Sequence, residues 1–300
     1  MNSASELTLG VAIPAYRNIQ LLQEGLRSIQ QVAPHLAESI YIVDDSGDGR
    51  VAAALRAHFP KIHWTIHEAN CGFGRSSNDA VAACLADIVI LLNDDVRLKT
   101  DPSSTLRNTF QDPKLFAVTF QSQHSDDSFR EGAKRLVWPF GLPRILHNPR
   151  DQLKLKDGRL PSAYAVGGHA AFHRKRFLQL GGFDPLFEPF YWEDVDLCQR
   201  ARQNGWHTIY RPDCLVIHDG IGAIRSSHDA QYIREMTLRN RLLFARRHLP
   251  KSLRIPHEIA IFYNTLWSMV TDGTFARARL AAREREAALV EKLDRLTDSL

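Results

Sequence analysis

The apolar run Ile88-Val89-Ile90-Leu91-Leu92 stops abruptly at Asn93-Asp94-Asp95. Such a run reads as a buried strand. Its end places carboxylates at the carboxyl edge of a sheet, where open α/β sheets bind their ligands. Adjacent acids at that edge repel one another unless a cation or hydrogen bonds compensate. A hard divalent metal carrying phosphate oxygens supplies such compensation. The run therefore points to a chain that handles a phosphorylated, metal-bound ligand.

The first half alternates strand and helix signals. Leu7 to Ile13 reads as a strand ending at Pro14, and Leu21 to Val32 carries apolar residues at helical spacing. Ile40 to Val43 is a short strand ending at Asp44-Asp45, Val51 to His58 a helix, Ile62 to Ile66 a strand, and Gly74 to Leu85 an Ala-rich helix. This order predicts a mostly parallel sheet with helices on both faces. Residues 121 to 160 lack periodicity and read as a long excursion with mobile loops at Gln121 to Arg130 and Asn148 to Gly158. Beyond it, Ala163 to Phe172, Thr208 to Tyr210 and Leu215 to Ile217 read as strands. Glu193 to Gln203 reads as a helix stopped by Asn204-Gly205. From Ala230 the pattern is helical, broken near Pro250 and Pro256. The catalytic domain is accordingly expected over 1–225, with a nucleotide-binding half to about 120, and a helical region over 226–300.

Charge distribution narrows the partners. The net charge of +4 is too small to argue for nucleic acid, and residues 1–220 hold 24 Lys+Arg against 25 Asp+Glu. The excess lies in residues 221–300, with 14 against 9. Cys71, Cys84, Cys198 and Cys214 form no CxxC pair or zinc-like spacing, so reduced thiols in a cytosolic protein are expected. The N-terminal residues lack a basic region before their apolar run, which argues against a secretory signal. No apolar stretch reaches the length of a membrane span.

Four segments bear acids or histidine at strand ends or helix starts: Asp44-Asp45, Asn93-Asp94-Asp95, Glu193-Asp194 and His218-Asp219. Each has a plain structural reading. An Asp after a strand caps or turns, acids at a helix start favour its dipole, and a lone His is commonly just hydrogen-bonded. Their joint occurrence on one α/β scaffold favours a shared site.

The order of motifs resembles glycosyltransferase family 2, inverting enzymes of the GT-A fold, and in particular its bacterial rhamnosyltransferase-like branch. The matching residues run from Val11-Ala12-Ile13-Pro14-Ala15-Tyr16-Arg17-Asn18 through Ile42-Val43-Asp44-Asp45-Ser46 and Asn70-Cys71-Gly72-Phe73-Gly74 with Asn78. They continue with Leu91-Leu92-Asn93-Asp94-Asp95, Gly181-Gly182-Phe183-Asp184, Trp192-Glu193-Asp194-Val195-Asp196-Leu197 and Val216-Ile217-His218. The likeness covers about residues 7 to 250. It implies a Rossmann-like central sheet flanked by helices, with a C-terminal helical extension.

The resemblance also implies roles. Pro14, Tyr16 and Arg17 would lie under the donor nucleotide, with the Arg fork suited to diphosphate oxygens. Asp45 would accept a ring N–H of the base. Asn70, Gly74 and Asn78 would belong to a loop and helix start that take the nucleotide closely. Asn93 stands where the family's DXD motif often has its first Asp. Asp94 would contact the ribose, and Asp95 with His218 would hold Mn²⁺ or Mg²⁺. Asp194 would be the general base that deprotonates an acceptor hydroxyl, with Glu193 as the fallback base or acceptor-orienting group. Trp192 would stack on the acceptor sugar. Gly167-Gly168 would let the backbone pass close to the donor sugar, and Gly168 is counted with the acceptor contacts.

These expectations give an inverting transfer from a UDP- or dTDP-sugar, dTDP-rhamnose among them, to a hydroxyl of a glycan or lipid-linked acceptor in cell-envelope polysaccharide assembly. The alternatives are a binding scaffold without catalysis, for which Asn93 is the support, and a nucleotidyltransferase. The latter would want a Gly-rich basic loop where Pro14-Ala15-Tyr16-Arg17 stands. Arg225 to Arg254 holds eight Lys+Arg and two Asp+Glu, near apolar Ile259 to Tyr263. That region reads either as peripheral contact with an anionic membrane, on the cytoplasmic face of the inner membrane, or as a helix packed on the catalytic domain with a solvated basic face. The terminal helix leaves homo-oligomerisation open.

Overall fold

The computed structural model describes residues 6–147, 160–220 and 227–298, with side chains as far as Glu291. The expected mobile loop at Asn148 to Gly158 lies outside the described residues. The chain divides into two compact units. Met1–Arg135, His147–Phe183 and Asp194–Gly222 form the first; Leu136–Leu146, Asp184–Glu193 and Ala223–Leu300 form the second.

The first unit is built on one mixed sheet. Strands β1 (Leu9–Ala15), β2 (Ile40–Asp44), β3 (His63–Ile66) and β4 (Ile88–Leu92) are parallel, in the order β3-β2-β1-β4. Short β5 (Arg97–Leu98), long β6 (Leu115–Gln123) and β7 (Phe129–Glu131) follow in the chain. β8 (Lys134–Val137) and β9 (Arg144–His147) pair with each other in a separate two-stranded sheet, and β10 (Leu160–Pro161), β11 (His169–His173) and β12 (His207–Ile217) return to the large one. The sheet continues from β4 through β11, β6 and β12 to β10. β11 runs antiparallel to both neighbours, whereas β6 and β12 are parallel.

Helices α1 (Ile19–Val32), α2 (Arg50–Leu55), α3 (Phe73–Ala83), α4 (Ser103–Thr109), α5 (Arg174–Gln179) and α6 (Glu193–Gln203) alternate with the strands. The two-residue period of a strand explains how the sheet is covered. In β4, Ile88, Ile90 and Leu92 join a core that includes Leu22, Leu26 and Ile29 of α1. Val89 and Leu91 point the other way, to a core with Val81 of α3, Phe177 of α5 and Leu197 of α6. With both faces buried, an unbroken apolar run is what such a strand requires.

The excursion expected over 121–160 is more ordered than its composition predicts. Gln121–Gln123 complete β6, and Phe129–Glu131 return as β7 beside them. The segments expected as separate strands at 208–210 and 215–217 are one strand, β12. Its register against β6 slips between Arg211 and Leu215, around Pro212, which has no N–H for the ladder.

The second unit is mainly helical: α7 (Ala230–His248), α8 (Arg254–Met269) and α9 (Thr274–Asp298). Asp229 caps α7 by accepting from the Tyr232 N–H at 2.8 Å. Buried Asn240 donates to the carbonyls of Phe190 and Tyr191 at 2.8 and 2.9 Å. The chain leaves helix at Pro250, as expected, but Pro256 falls in the first turn of α8, where no N–H donor is needed. Among the described residues, no helix is long and apolar enough to cross a membrane.

Candidate active site

The parallel strands end together, since Ala15 pairs with Asp44 and Ala12 with Leu91. Three loops therefore leave one edge side by side. After β4, the Asn93 N–H donates to the Gly168 carbonyl at 2.9 Å, extending the ladder by one rung. The Asn93 side chain fills the space before Gly168: a Cβ there would stand 2.5 Å from Asn93 Nδ2. The glycine is thus required by this close passage.

Asp94 is committed to the turn after β1. One oxygen accepts from the Tyr16 N–H at 2.8 Å and the other from Asn18 Nδ2 at 3.0 Å. Burial pushes its carboxyl up to about 7, against those two hydrogen bonds. The turn leaves Arg17 exposed in the left-handed region, at φ 63°, with its guanidinium 4.9 Å over the Tyr16 ring. A bulky residue held there is strained, which is a feature of ligand-binding turns.

Asp45 organises the next loop. Its oxygens accept from the N–H groups of Cys71 and Gly72 at 2.8 and 2.9 Å, and His67 Nδ1 lies 2.8 Å away. Asn70 accepts from the same Gly72 N–H. His67, which the motifs did not single out, lies between Asp45 and Asp79. Asp45, His67 and Cys71 could group about an ion, but Asp45 and His67 already satisfy each other. Gly74 lies within α3, against Phe183. Asn78 spends both ends of its amide on Phe183, accepting from its N–H and donating to its carbonyl at 2.8 Å each. That is a structural clamp.

Asp95 and His218 meet. The His218 Nε2 lies 3.3 Å from the Asp95 carboxylate, and both side chains are buried. Burial works to raise the Asp95 pKa; His218 and the charge of Arg130 outweigh it, and the carboxyl ends below its ordinary value. Arg130 donates to the carbonyls of His218 and Gly220, holding the end of β12. A Cβ on Gly220 would lie 2.2 Å from Asp95 Oδ2.

Behind this pair lies a buried polar cluster that motif reading missed. Lys134 is fully buried, bonds to Glu131, and lies 3.0 Å from His147 Nδ1. Glu131 lies 3.7 Å from His169 Nε2. Burial works against the Glu131 charge; the His169 and Lys134 side chains overcome it, setting a pKa of about 2. Burial lowers His169 to about 4. The ligand atoms of Glu131, His169 and His218 lie within 4.8 Å of one another. Asp95 Oδ1, His218 Nδ1 and both nitrogens of His169 are buried without a hydrogen-bond partner. Orphaned carboxylate and imidazole atoms at one place are a donor set that a divalent cation fits.

Asp194 lies in the first turn of α6. One oxygen accepts from the Val195 N–H at 2.8 Å and the other from Gly167 at 3.3 Å. Burial raises its carboxyl to about 6, against those two bonds. Gly167 and Gly168 are thus the joint of the site: one touches Asp194, and the next takes the hydrogen bond of Asn93. Tyr191 and Trp192 precede α6 at φ 69° and 76°, a strained approach to the helix. Trp192 is buried against Phe244, with ring centroids 5.1 Å apart, and Glu193 is buried as well.

A mixed sheet whose parallel half ends beside an acidic turn, with helices on both faces, is a GT-A fold. Residues 7–238 match the family described as Glycosyltransferase like family 2, and the chain belongs to that family. It is a glycosyltransferase that draws on a nucleotide-sugar.

Its relatives are distant. An N-acetylglucosaminyl-diphospho-decaprenol L-rhamnosyltransferase of Mycobacterium tuberculosis is 25% identical over 228 residues, which is 65% of this chain and 73% of that protein. A pre-mycofactocin glycosyltransferase of the same organism is 26% identical over 216 residues, 70% of this chain and 42% of the relative. Two solved structures share the fold. GalNAc-T7 with UDP, GalNAc and Mn²⁺ aligns with a TM-score of 0.62 at 15% identity, over 81% of this chain and 48% of that one. The mannosyltransferase PcManGT from Pyrobaculum calidifontis, in complex with GDP-Man and Mn²⁺, aligns with a TM-score of 0.54 at 17% identity, over 98% and 81%.

Proposed function

We propose that the protein is an inverting glycosyltransferase that moves a sugar from a UDP- or dTDP-sugar, with dTDP-rhamnose the first donor to try, to a hydroxyl of a glycan or lipid-linked acceptor. The carrying observation is the Gly167-Gly168 joint, which ties Asp194 to the Asn93-Asp94-Asp95 turn. Base and leaving-group site then share one backbone support, as a direct displacement needs. Asp194 takes the proton of the acceptor hydroxyl as that oxygen bonds to the anomeric carbon. The bond from that carbon to the diphosphate oxygen breaks, and the nucleoside diphosphate carries away the electron pair. One displacement inverts the anomeric centre.

Asp95 and His218 would hold a divalent cation, with His169 and Glu131 beside them. When bound, the cation supplies positive charge to the departing diphosphate. Mn²⁺ in both structural neighbours supports this choice, with Mg²⁺ the other candidate. Arg17 is exposed and would meet diphosphate oxygens, and the loop that Asp45 fixes would border the base. The diphospho-decaprenol in the rhamnosyltransferase's name supports a lipid-linked acceptor, and with it work at a membrane surface. Family membership sets aside the nucleotidyltransferase reading.

The test is a thermal-shift panel of UDP-, dTDP- and GDP-sugars with and without Mn²⁺. A rise in Tm confined to one nucleotide class and dependent on the cation is the expected result. A panel in which no sugar nucleotide moves the Tm with the cation present overturns the reading.

A further inference from the structure

The second unit carries a groove of about 790 Å³ that sugar transfer does not account for. Phe140, Ile255, Ile259 and Tyr263 give it apolar walls, and Arg144 and Arg241 give it charge. Arg241 donates through Nε to the Pro143 carbonyl at 2.6 Å, and neither arginine has a carboxylate partner among the described residues. Burial lowers the Arg241 pKa, and the charge of Arg144 lowers it further. Two guanidiniums that repel each other beside an apolar wall are poorly satisfied by water alone.

The apolar wall continues outward. Ile255, Ile259, Phe262, Tyr263, Leu266 and Trp267 recur at helical spacing along one side of α8, and each is more than half exposed. Trp267 is 71% exposed and Phe140 79%. Exposed stripes of this kind mark docking surfaces, and Trp and Tyr suit a membrane–water boundary. A second copy of this chain pairing this groove with itself would bring no carboxylate to the two guanidiniums, since the lining holds none. An amphiphile with an anionic head and a hydrocarbon tail complements both features at once.

We propose that this groove binds the phosphate head and first tail carbons of a membrane lipid phosphate or diphosphate, with the α8 stripe lying on the bilayer surface. The inference rests on the transferase reading above and names the class of its acceptor carrier. Arg144 and Arg241 take the phosphate oxygens. Ile259 and Tyr263 take the tail.

The test titrates the full-length protein with farnesyl diphosphate by calorimetry, in EDTA so that no metal site competes. Inorganic pyrophosphate and farnesol serve as the separate head and tail. Farnesyl diphosphate should bind at least about tenfold more tightly than either part, and Arg144→Gln and Ile259→Asp should each weaken it by about tenfold or more. Arg144 and Ile259 are exposed, so both variants should keep the wild-type Tm. Wild-type affinity in both variants overturns the proposal, and so does pyrophosphate binding as tightly as the amphiphile. Donor binding is measured on separate aliquots of the same protein, with Mn²⁺ and without EDTA. No donor binding by the wild type, with farnesyl diphosphate still bound in the EDTA titration, would sink the transferase reading and leave the groove; the reverse result would sink the groove alone.

Discussion

The His218 imidazole lies 3.3 Å from the Asp95 carboxylate, across 123 residues of chain. The loop after β4 delivers the carboxylate and the end of β12 delivers the imidazole, whose backbone carbonyl accepts from the Arg130 guanidinium. The backbone N–H of His218 bonds to Gln123 at 3.0 Å, so the fold there does not depend on the ring. His218→Ala and Asp95→Asn should therefore each weaken Mn²⁺-dependent nucleotide binding by about tenfold or more, the loss typical of even supporting groups at metal sites. Calorimetry with and without Mn²⁺ reads this directly. A variant with unchanged cation-dependent affinity removes its residue from the site.

Gly220 offers a finer test of the same carboxylate. An alanine Cβ would stand 2.2 Å from Asp95 Oδ2 and 3.0 Å from its Cγ, so the acid must swing away. Gly220→Ala should reduce cation-dependent donor binding while the Tm moves by no more than a few degrees, because the contact is with a side chain at the sheet edge. Normal donor affinity in this variant would mean that Asp95 works from some other rotamer.

Asp194 ties activity and stability to pH with opposite signs. Its folded pKa of about 6 lies above the ordinary 3.8, with burial the leading cause. A base must be ionised, so kcat/KM should climb through pH 6 and level off above it. A raised folded pKa favours the folded state fully below the ordinary value, and that contribution is lost as pH rises through 6. The loss is on the order of 3 kcal/mol by neutral pH. Asp194→Asn should retain donor binding, lose turnover by roughly 10²–10⁴-fold, and show a smaller fall in Tm between pH 4 and 7 than the wild type. Near-normal turnover would remove Asp194 from the role of base, and parallel Tm curves would show that folding does not raise its carboxyl.

Asn78 separates a clamp from a ligand contact. Both ends of its amide are engaged by Phe183, and Gly182, at φ 66°, is packed so closely that a Cβ would meet Asn78 Oδ1 at 2.3 Å. Asn78→Ala should cost about 2–3 kcal/mol of stability, for two lost hydrogen bonds and the backbone groups left behind. Urea unfolding measures this. Unchanged stability with a large loss of donor affinity would restore Asn78 to the nucleotide.

Much of the fold around the candidate site was legible because its elements are local. β4 begins and ends where its apolar run does, and α6 spans Glu193–Gln203 as its stop signal indicates. The stretch after residue 121 was not legible, because its order comes from pairing with distant strands. Glu131 lies beside Ser122 in β7, and His169 beside Leu92 in β11. In the sequence, Glu131 and Lys134 look like the solvated charges of a loop, since nothing local announces their burial. His169 did carry a signal: a polar residue opening the strand His169-Ala170-Ala171-Phe172, directly after two glycines, is out of place unless it serves a site. Segments 136–146 and 184–193 join the C-terminal helices through contacts far along the chain, such as Asn240 with Phe190, which no local pattern encodes.

The Glu131–Lys134 pair gives that buried cluster a measurable energy. Lys134 is fully buried and its ammonium bonds to Glu131, so Glu131→Gln would leave a charge in the interior with His147 Nδ1 as its remaining hydrogen-bond partner among the described residues. Breaking one side of such a pair typically costs about 3–5 kcal/mol, whereas replacing both sides with uncharged groups is close to neutral. Glu131→Gln should therefore lower the denaturation midpoint sharply, and Glu131→Gln with Lys134→Met should recover most of the loss. A double-mutant cycle in urea measures the coupling. Two single losses that simply add would show that the ion pair is incidental, and that Lys134 is held by its surroundings rather than by Glu131.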